Sequence, residues 1–304
     1  MQSVDINGKK YILAEQEGMI NITSQSKKEI ERLEASFCTD IVPCLAEANA
    51  VLAGGALTSL FTNKEVNDYD IYFKNVEGFQ SIINDIYDTP ESGSVLSSYD
   101  VIVNFATDRS ILCKEKWSEN AIQFIVYKMF PDIQDIFNAF DFTVNMCAYD
   151  FATQQMWAHP DFLKHCSQRY LSFNGRTDYP VVSALRVMKY TERGYTISKA
   201  EMLRILFTIA AKEYKDWQSV KEEVGSMYGI PVDKLFDETK EFNLEEVVLQ
   251  LNNCVALDKP RVMAEAYDTK DLATKFPHLL DQKWAENNNF WWAKEAYGQE
   301  QVHL

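Results

Sequence analysis

The spacing of hydrophobic positions changes along this chain, and the change divides it into two parts. In residues 26–50 (SKKEIERLEASFCTDIVPCLAEANA), Ile30, Leu33, Phe37 and Ile41 recur at helical spacing, which predicts a helix broken near Pro43. Residues 51–61 (VLAGGALTSLF) begin as a short apolar strand, turn at a glycine pair and continue into a helix. Residues 67–74 (NDYDIYFK) alternate with the period of a strand. Over 76–87, Phe79, Ile82, Ile83 and Ile86 share one helical face. Strands are predicted over 101–105, 110–113 and 121–130. Pro131 then opens a short helix, 132–138, and 142–149 (FTVNMCAY) reads as a strand or a strand entering a helix. Beyond about residue 160 the pattern is helical, over 183–193, 199–214, 216–228, 232–239 and 244–255. The fold class is α+β: a head with a mixed sheet flanked by helices (1–165), then an all-helical body (166–304).

Composition narrows the function classes. The chain has 304 residues, 46% of them hydrophobic and 25% charged, ordinary values for a globular protein. No apolar run reaches the roughly 18 residues that span a bilayer, and Met1–Lys10 is too polar for a signal peptide, so a cytoplasmic protein without membrane contact is expected. The cysteines (38, 44, 113, 147, 166, 254) form no CxxC pair and read as free thiols. The histidines (159, 165, 278, 303) lack zinc-ligand spacing. A net charge of −15 opposes binding along a long nucleic acid, while leaving room for a local basic groove that takes one RNA end.

The stretch that carries chemistry is 52–73, LAGGALTSLFTNKEVNDYDIYF. Residues two apart on a strand share a face, so Asp68 and Asp70 point the same way, about 7 Å apart by strand rise. Two carboxylates aimed at one point repel unless solvent or a cation lies between them. Magnesium binds through one or two carboxylates plus substrate phosphates. Gly54 and Gly55 let a backbone with free N–H groups approach a phosphate. A helix beginning near residue 56 would turn its positive end to the same place, with Thr58 and Ser59 adding hydroxyls. Asp-x-Asp by itself is common on surfaces; its position thirteen residues after Gly55, far enough for a short helix and a return, is what makes it informative.

This arrangement, GG-x-x-x-S followed by D-x-D-h-Y-F, resembles the nucleotidyltransferase superfamily that includes DNA polymerase beta, CCA-adding enzymes and bacterial poly(A) polymerases. Asp141–Asn145 (DFTVN) resembles the DFTIN block of the CCA-adding and poly(A) polymerase group, and Leu185–Ile197 (LRVMKYTERGYTI) resembles their LRAxRFAxxxGFxI segment. The three blocks occur in order over roughly the first 200 residues. The overall texture resembles phage-encoded and bacterial members. There are departures. Ala139 and Phe140 stand where the family has two arginines, and Tyr179, Pro180 and Ser183 stand where it has its base-selecting EDxxR. The glycine loop reads Ala56-Leu57-Thr58 in place of VRD. Protein-templated CCA addition is therefore not expected.

The resemblance implies a polymerase-beta-like head and transfer of NMP from an NTP, ATP or CTP first, to an acceptor hydroxyl with release of pyrophosphate. It implies Mg²⁺ or Mn²⁺ on Asp68 and Asp70, with Asp141 as the third carboxylate and catalytic residue and Asp150 as fallback. Arg186 and Lys189 fall where the family segment has arginines. They lie three apart on a helix and would contact phosphate. Arg109, Lys114 and Lys128 are weaker cation candidates, and Tyr190 and Phe173 would stack a base. The bland readings are a helix cap for Asp141, solvated cations for Arg186 and Lys189, and a docking contact for Phe290-Trp291-Trp292. The leading acceptor is a tRNA-like RNA 3′ end. A small molecule or protein hydroxyl is the alternative, and a binding module without catalysis is the third.

Overall fold

The structure is a computed structural model. It describes residues 3–6, 9–12, 18–37, 41–87, 101–106, 109–115, 121–224 and 236–252. Strands β1 (Ser3–Ile6) and β2 (Lys9–Ile12) form an antiparallel hairpin. β3 (Ile20–Asn21) begins the main sheet and is followed by helices α1 (Lys27–Glu34) and α2 (Ile41–Glu47). Pro43 is the third residue of α2, inside its first turn, where its missing N–H has no helical acceptor to lose. The interruption therefore precedes the proline.

The centre of the head is the run β4 (Ala50–Ala53), α3 (Gly55–Phe61), β5 (Asp68–Phe73) and α4 (Val76–Tyr87). β4 is buried on both faces, as its unbroken apolar run requires. Then come β6 (Val101–Ala106), β7 (Ser110–Glu115), β8 (Ala121–Ile125), α5 (Ile133–Ala139), β9 (Cys147–Asp150), β10 (Gln155–Ala158) and α6 (Phe162–Gln168). The eight-stranded sheet has the order β3-β10-β9-β4-β5-β8-β7-β6. Only the β5–β8 pair is parallel; the other neighbours are antiparallel. A mixed sheet with helices is the expected α+β class. β8 stops at Ile125, short of the expected end at 130, because Val126 and Tyr127 turn to donate to the Arg109 carbonyl. Residues 143–145 form a 3-10 turn, and the strand expected from 142 begins at Cys147.

The alternation of β5 sorts its residues between two cores. Tyr69, Ile71 and Phe73 join the large cluster that also takes Phe79, Ile82 and Ile83 of α4 and Leu33 of α1. On the opposite face, Tyr72 packs with Val51, Ala53, Phe130 and Phe137 in a smaller cluster beneath α5. Asp68 and Asp70 share that second face, where the apolar cover is incomplete.

The C-terminal helices are α7 (Pro180–Glu192), α8 (Lys199–Ala210), α9 (Trp217–Val224) and α10 (Leu244–Asn252), with β11 (Tyr170–Leu171) and β12 (Thr196–Ile197) pairing in parallel. Pro180 occupies N1 of α7, and Glu223 of α9 accepts the Val181 N–H at 3.2 Å in place of a side-chain cap. Val187, Tyr190, Tyr195 and Ile205 belong to the same large core as the sheet. Trp217, Val220, Val224, Phe236 and Val247 form a separate cluster between α9 and α10. Of the helix expected over 232–239, residues 236–239 are irregular chain and turn, and 232–235 lie outside the described residues. Cys44, Cys113, Cys147 and Cys166 are buried and outside any disulfide. Cys38, Lys114's side chain, Cys254, His278, His303 and the Phe290-Trp291-Trp292 tail lie outside the described residues. Among the described residues, no helix is long and apolar enough to cross a membrane.

Candidate active site

β4 and β5 are antiparallel, with Leu52 opposite Ile71, so the end of β4 delivers the glycine turn beside the aspartates. Gly54 has φ +94° and ψ −139°, a conformation that a side chain makes costly. A Cβ there would meet the Phe140 ring at 3.3 Å and Asp70 Oδ2 at 3.8 Å. The Asp70 carboxylate therefore faces the turn at van der Waals range. Gly55 borders open space, and α3 begins there, so its first N–H groups precede any helical acceptor.

Burial and the neighbouring Asp68 carboxylate push the Asp70 carboxyl up from 3.8 to about 7, against the pull of Arg186 and Lys189. These four residues thus form one electrostatic unit, two acids faced by two cations from α7. All four are residues that the sequence reading named, and the other three each act electrostatically on Asp70. Asp68 and Asp70 suit a divalent cation: they are a hard oxygen donor pair whose mutual repulsion a cation would relieve.

Asp141 departs from expectation. It is 1% exposed, accepts from Arg186 Nη1 at 3.0 Å through Oδ2, and accepts from Asn145 Nδ2 at 3.2 Å through Oδ1. Among the described residues no three Asp, Glu, His or Cys side chains are grouped so as to hold one ion, so Asp68, Asp70 and Asp141 do not form the expected carboxylate triad. The fallback, Asp150, is paired with Lys74 Nζ at 2.7 Å and accepts the N–H groups of Ala152 and Thr153. Gln123 of β8, not an acid, stands opposite Asp70 across the parallel pair.

Of the other expected residues, Thr58, Tyr190 and Phe173 are turned inward. The Thr58 hydroxyl donates to the Val144 carbonyl at 2.5 Å and is buried, so it ties α3 to the 3-10 turn instead of facing a nucleotide. Ser59 is half-buried, and its carbonyl accepts the Lys64 N–H at 2.8 Å. Tyr190 and Phe173 both pack on Phe142, at 5.7 and 6.3 Å between ring centres, which removes them as base-stacking platforms. Lys128 lies over the Phe130 ring.

Three residues beside the site carry weight beyond their role in the sequence reading. Arg109 lies 4.7 Å over the Tyr179 ring and 5.9 Å from that of Tyr127. Tyr127 is pushed up to about 12, first by burial and then by Tyr179 and Asp178, against Arg109 and Arg186. Arg186 therefore stands between the carboxylates and a half-buried aromatic rim. Tyr179 immediately before Pro180 at a helix start was the available sign; no local pattern marks Arg109 or Tyr127.

With the geometry in place, the comparisons can be stated. Residues 21–169 match the model of a family described as Gabija anti-defense 2 family protein. Over 249 residues the chain is 41% identical to a protein of Bacillus phage SPbetaL7 named Gabija anti-defense 2, covering 80% of this chain and 59% of that relative. The chain thus spans less than two thirds of the relative's length and is its homologue. Among solved structures, an apo CCA-adding enzyme aligns with TM-score 0.46 at 11% identity, covering 89% of this chain and 62% of that one. The Bacillus stearothermophilus CCA-adding enzyme in complex with CTP aligns with TM-score 0.39 at 15% identity, covering 64% and 48%.

Proposed function

We propose that this chain is a metal-dependent nucleotidyltransferase that moves NMP from an NTP, ATP or CTP first, to an acceptor hydroxyl. The observation that carries the reading is the Asp70 carboxylate facing the Gly54 turn, with Asp68 on one side and Arg186 and Lys189 opposite. Asp68 and Asp70 would hold Mg²⁺ or Mn²⁺. Bound there, the ion would supply charge neutralisation for the triphosphate and for the attacking oxygen. The backbone of Gly54 and Gly55 approaches the phosphates, Gly54 at a φ that a side chain makes costly. Arg186 and Lys189 offset phosphate charge from α7. The acceptor hydroxyl loses its proton to solvent as its oxygen bonds to the α-phosphorus, the bond from that phosphorus to its β-bridging oxygen breaks, and pyrophosphate leaves.

For the acceptor, an RNA 3′ end of tRNA type is the first reading. A protein hydroxyl is the second, and a specific observation favours it. The outer faces of α7 and α8 expose Met188 (65%), Phe207 (70%) and Leu206 (51%), an apolar surface where phosphate binding would call for a basic one. The relative's name carries to this chain as part of the proposal: the modification acts against a host defence, in the host cytoplasm.

The test is incubation of the full chain with each α-labelled NTP, Mg²⁺ or Mn²⁺, and host lysate, beside Asp68→Ala/Asp70→Ala. Metal-dependent label that the double variant fails to transfer supports the enzyme. Equal labelling by the variant discards it. Label in RNA selects the first acceptor, and label in protein the second.

A further inference from the structure

A continuous set of buried hydrogen bonds runs from the helix behind the glycine turn to the cation beside Asp70. The Thr58 hydroxyl of α3 donates to the Val144 carbonyl at 2.5 Å and reaches Asn145 Oδ1 at 3.5 Å. Tyr190 of α7 donates its hydroxyl to the same Oδ1 at 2.6 Å. The Asn145 amide nitrogen donates to Asp141 Oδ1 at 3.2 Å, and Asp141 Oδ2 takes Arg186 Nη1 at 3.0 Å. Thr58, Asp141, Asn145 and Tyr190 are each less than 10% exposed. Burying a carboxylate is costly without a cation and hydrogen-bond donors beside it, and Asp141 has both within the protein. Both of its oxygens are occupied by protein donors.

We propose that Asp141 is a positioning residue: braced by Asn145 and Tyr190, it fixes the Arg186 guanidinium toward the triphosphate and does not ligate the metal. The inference rests on the nucleotidyltransferase reading and deepens it, because it assigns Arg186 to the nucleotide and explains what aims it. Arg186 is 29% exposed on a helix, and a guanidinium with that freedom would otherwise sample many rotamers. Anchored through Nη1, it loses little further freedom when phosphate binds. The bracing runs through Asn145 to α7 and through the adjoining Val144 carbonyl to α3, so the glycine turn and the cations are held in one register.

The experiment is a double-mutant cycle on the full chain, reading affinity by calorimetry for Mn²⁺ alone and for an α,β-methylene NTP with Mn²⁺. Asp141→Asn and Arg186→Gln should each weaken the nucleotide complex about tenfold, a typical size for one charge-assisted contact. The double variant should be no weaker than Arg186→Gln. Affinity for Mn²⁺ alone should stay within about twofold in Asp141→Asn and fall sharply in Asp68→Ala. Tyr190→Phe, which removes one hydroxyl and keeps the ring in the core, covers the case in which Asp141→Asn does not fold. It should cost about two- to threefold in nucleotide affinity and nothing in the Arg186→Gln background. Loss of Mn²⁺ affinity in Asp141→Asn comparable to that in Asp68→Ala, or losses that multiply in the double variant, would overturn the positioning role while leaving the enzyme reading intact. A wild type that binds Mn²⁺ but does not bind the nucleotide removes both.

Discussion

Asp70 sits where burial and a neighbouring carboxylate oppose its charge while Arg186 and Lys189 favour it, and the balance puts its proton midpoint at about 7. That value lies above the ordinary 3.8, so between the two the folded chain holds a proton that the unfolded chain has released. Stability should therefore fall as pH rises from about 4 to about 7 and stay lower above that. Asp70→Asn removes the charge and should raise stability in urea at pH 8 by about 1–3 kcal/mol, discounted because the residue is half-buried rather than fully buried, with little change at pH 4. Equal stability of the two proteins at pH 8 would show that the pair is not strained. The same midpoint governs the metal. Mn²⁺ must displace the Asp70 proton below pH 7, so affinity should drop by up to about tenfold between pH 7 and pH 6. A flat titration by paramagnetic resonance would mean that Asp70 is ionised throughout. At this scale the aspartate pair was legible because a strand's period is local: positions 68 and 70 must share a face. The partners of Asp141 were not legible, since Asn145 and Arg186 reach it only through the fold.

Elements were readable where one strong face decided them. α4 spans Val76–Tyr87 as its apolar spacing requires. The glycines then decide how elements meet. A Cβ on Gly78 would lie 2.1 Å from the Ala48 carbonyl oxygen, so α4 can cross the end of α2 only with glycine there. Gly78→Ala should destabilise by about 3 kcal/mol or more, since the obstacle is backbone rather than a flexible side chain. Gly54→Ala is a different case. Its strain at φ +94° costs about 1–3 kcal/mol, and its methyl would push on Phe140 beside Asp70. Nucleotide affinity should fall at Gly54→Ala by more than its stability loss explains, while Gly78→Ala loses stability alone. Melting curves with and without the Mn²⁺ nucleotide complex separate the two; identical ligand shifts would place Gly54 outside the site. The 3-10 turn at 143–145 escaped the period analysis because its buried residues follow tertiary demands. Thr143 bonds His165, and Asn145 serves Asp141 and Tyr190.

Across the whole molecule, the change from strand period to helical period near residue 165 placed a domain boundary where the packing is continuous. α6 spans Phe162–Gln168, so a cut after 165 divides a helix. The segment that follows repays its contacts to the head. Asn174 donates its side-chain amide to the carbonyls of Phe137, Asn138 and Phe140, at 3.2, 3.1 and 2.7 Å. Phe142 of the head packs against Phe173 and Tyr190, and Ile205 of α8 is fully buried in the same core. Periodicity reports which face of an element is apolar and is silent on which element covers it, so helices that cap a sheet read the same as helices of a separate body. We expect a fragment of residues 1–165 to lose several large side chains' worth of burial, each about 1.5–3 kcal/mol, and to fail to unfold cooperatively. A fragment of residues 1–224 keeps α7 and α8, together with the Glu223 carboxylate that accepts from Val181 at the start of α7 and pairs with Lys212. It should show a single urea transition and retain Mn²⁺ binding through Asp68 and Asp70. Cooperative unfolding of the shorter fragment would restore the boundary at 165 and make the contacts across it dispensable. A longer fragment that folds yet binds no metal would point instead to a contribution from residues beyond 224.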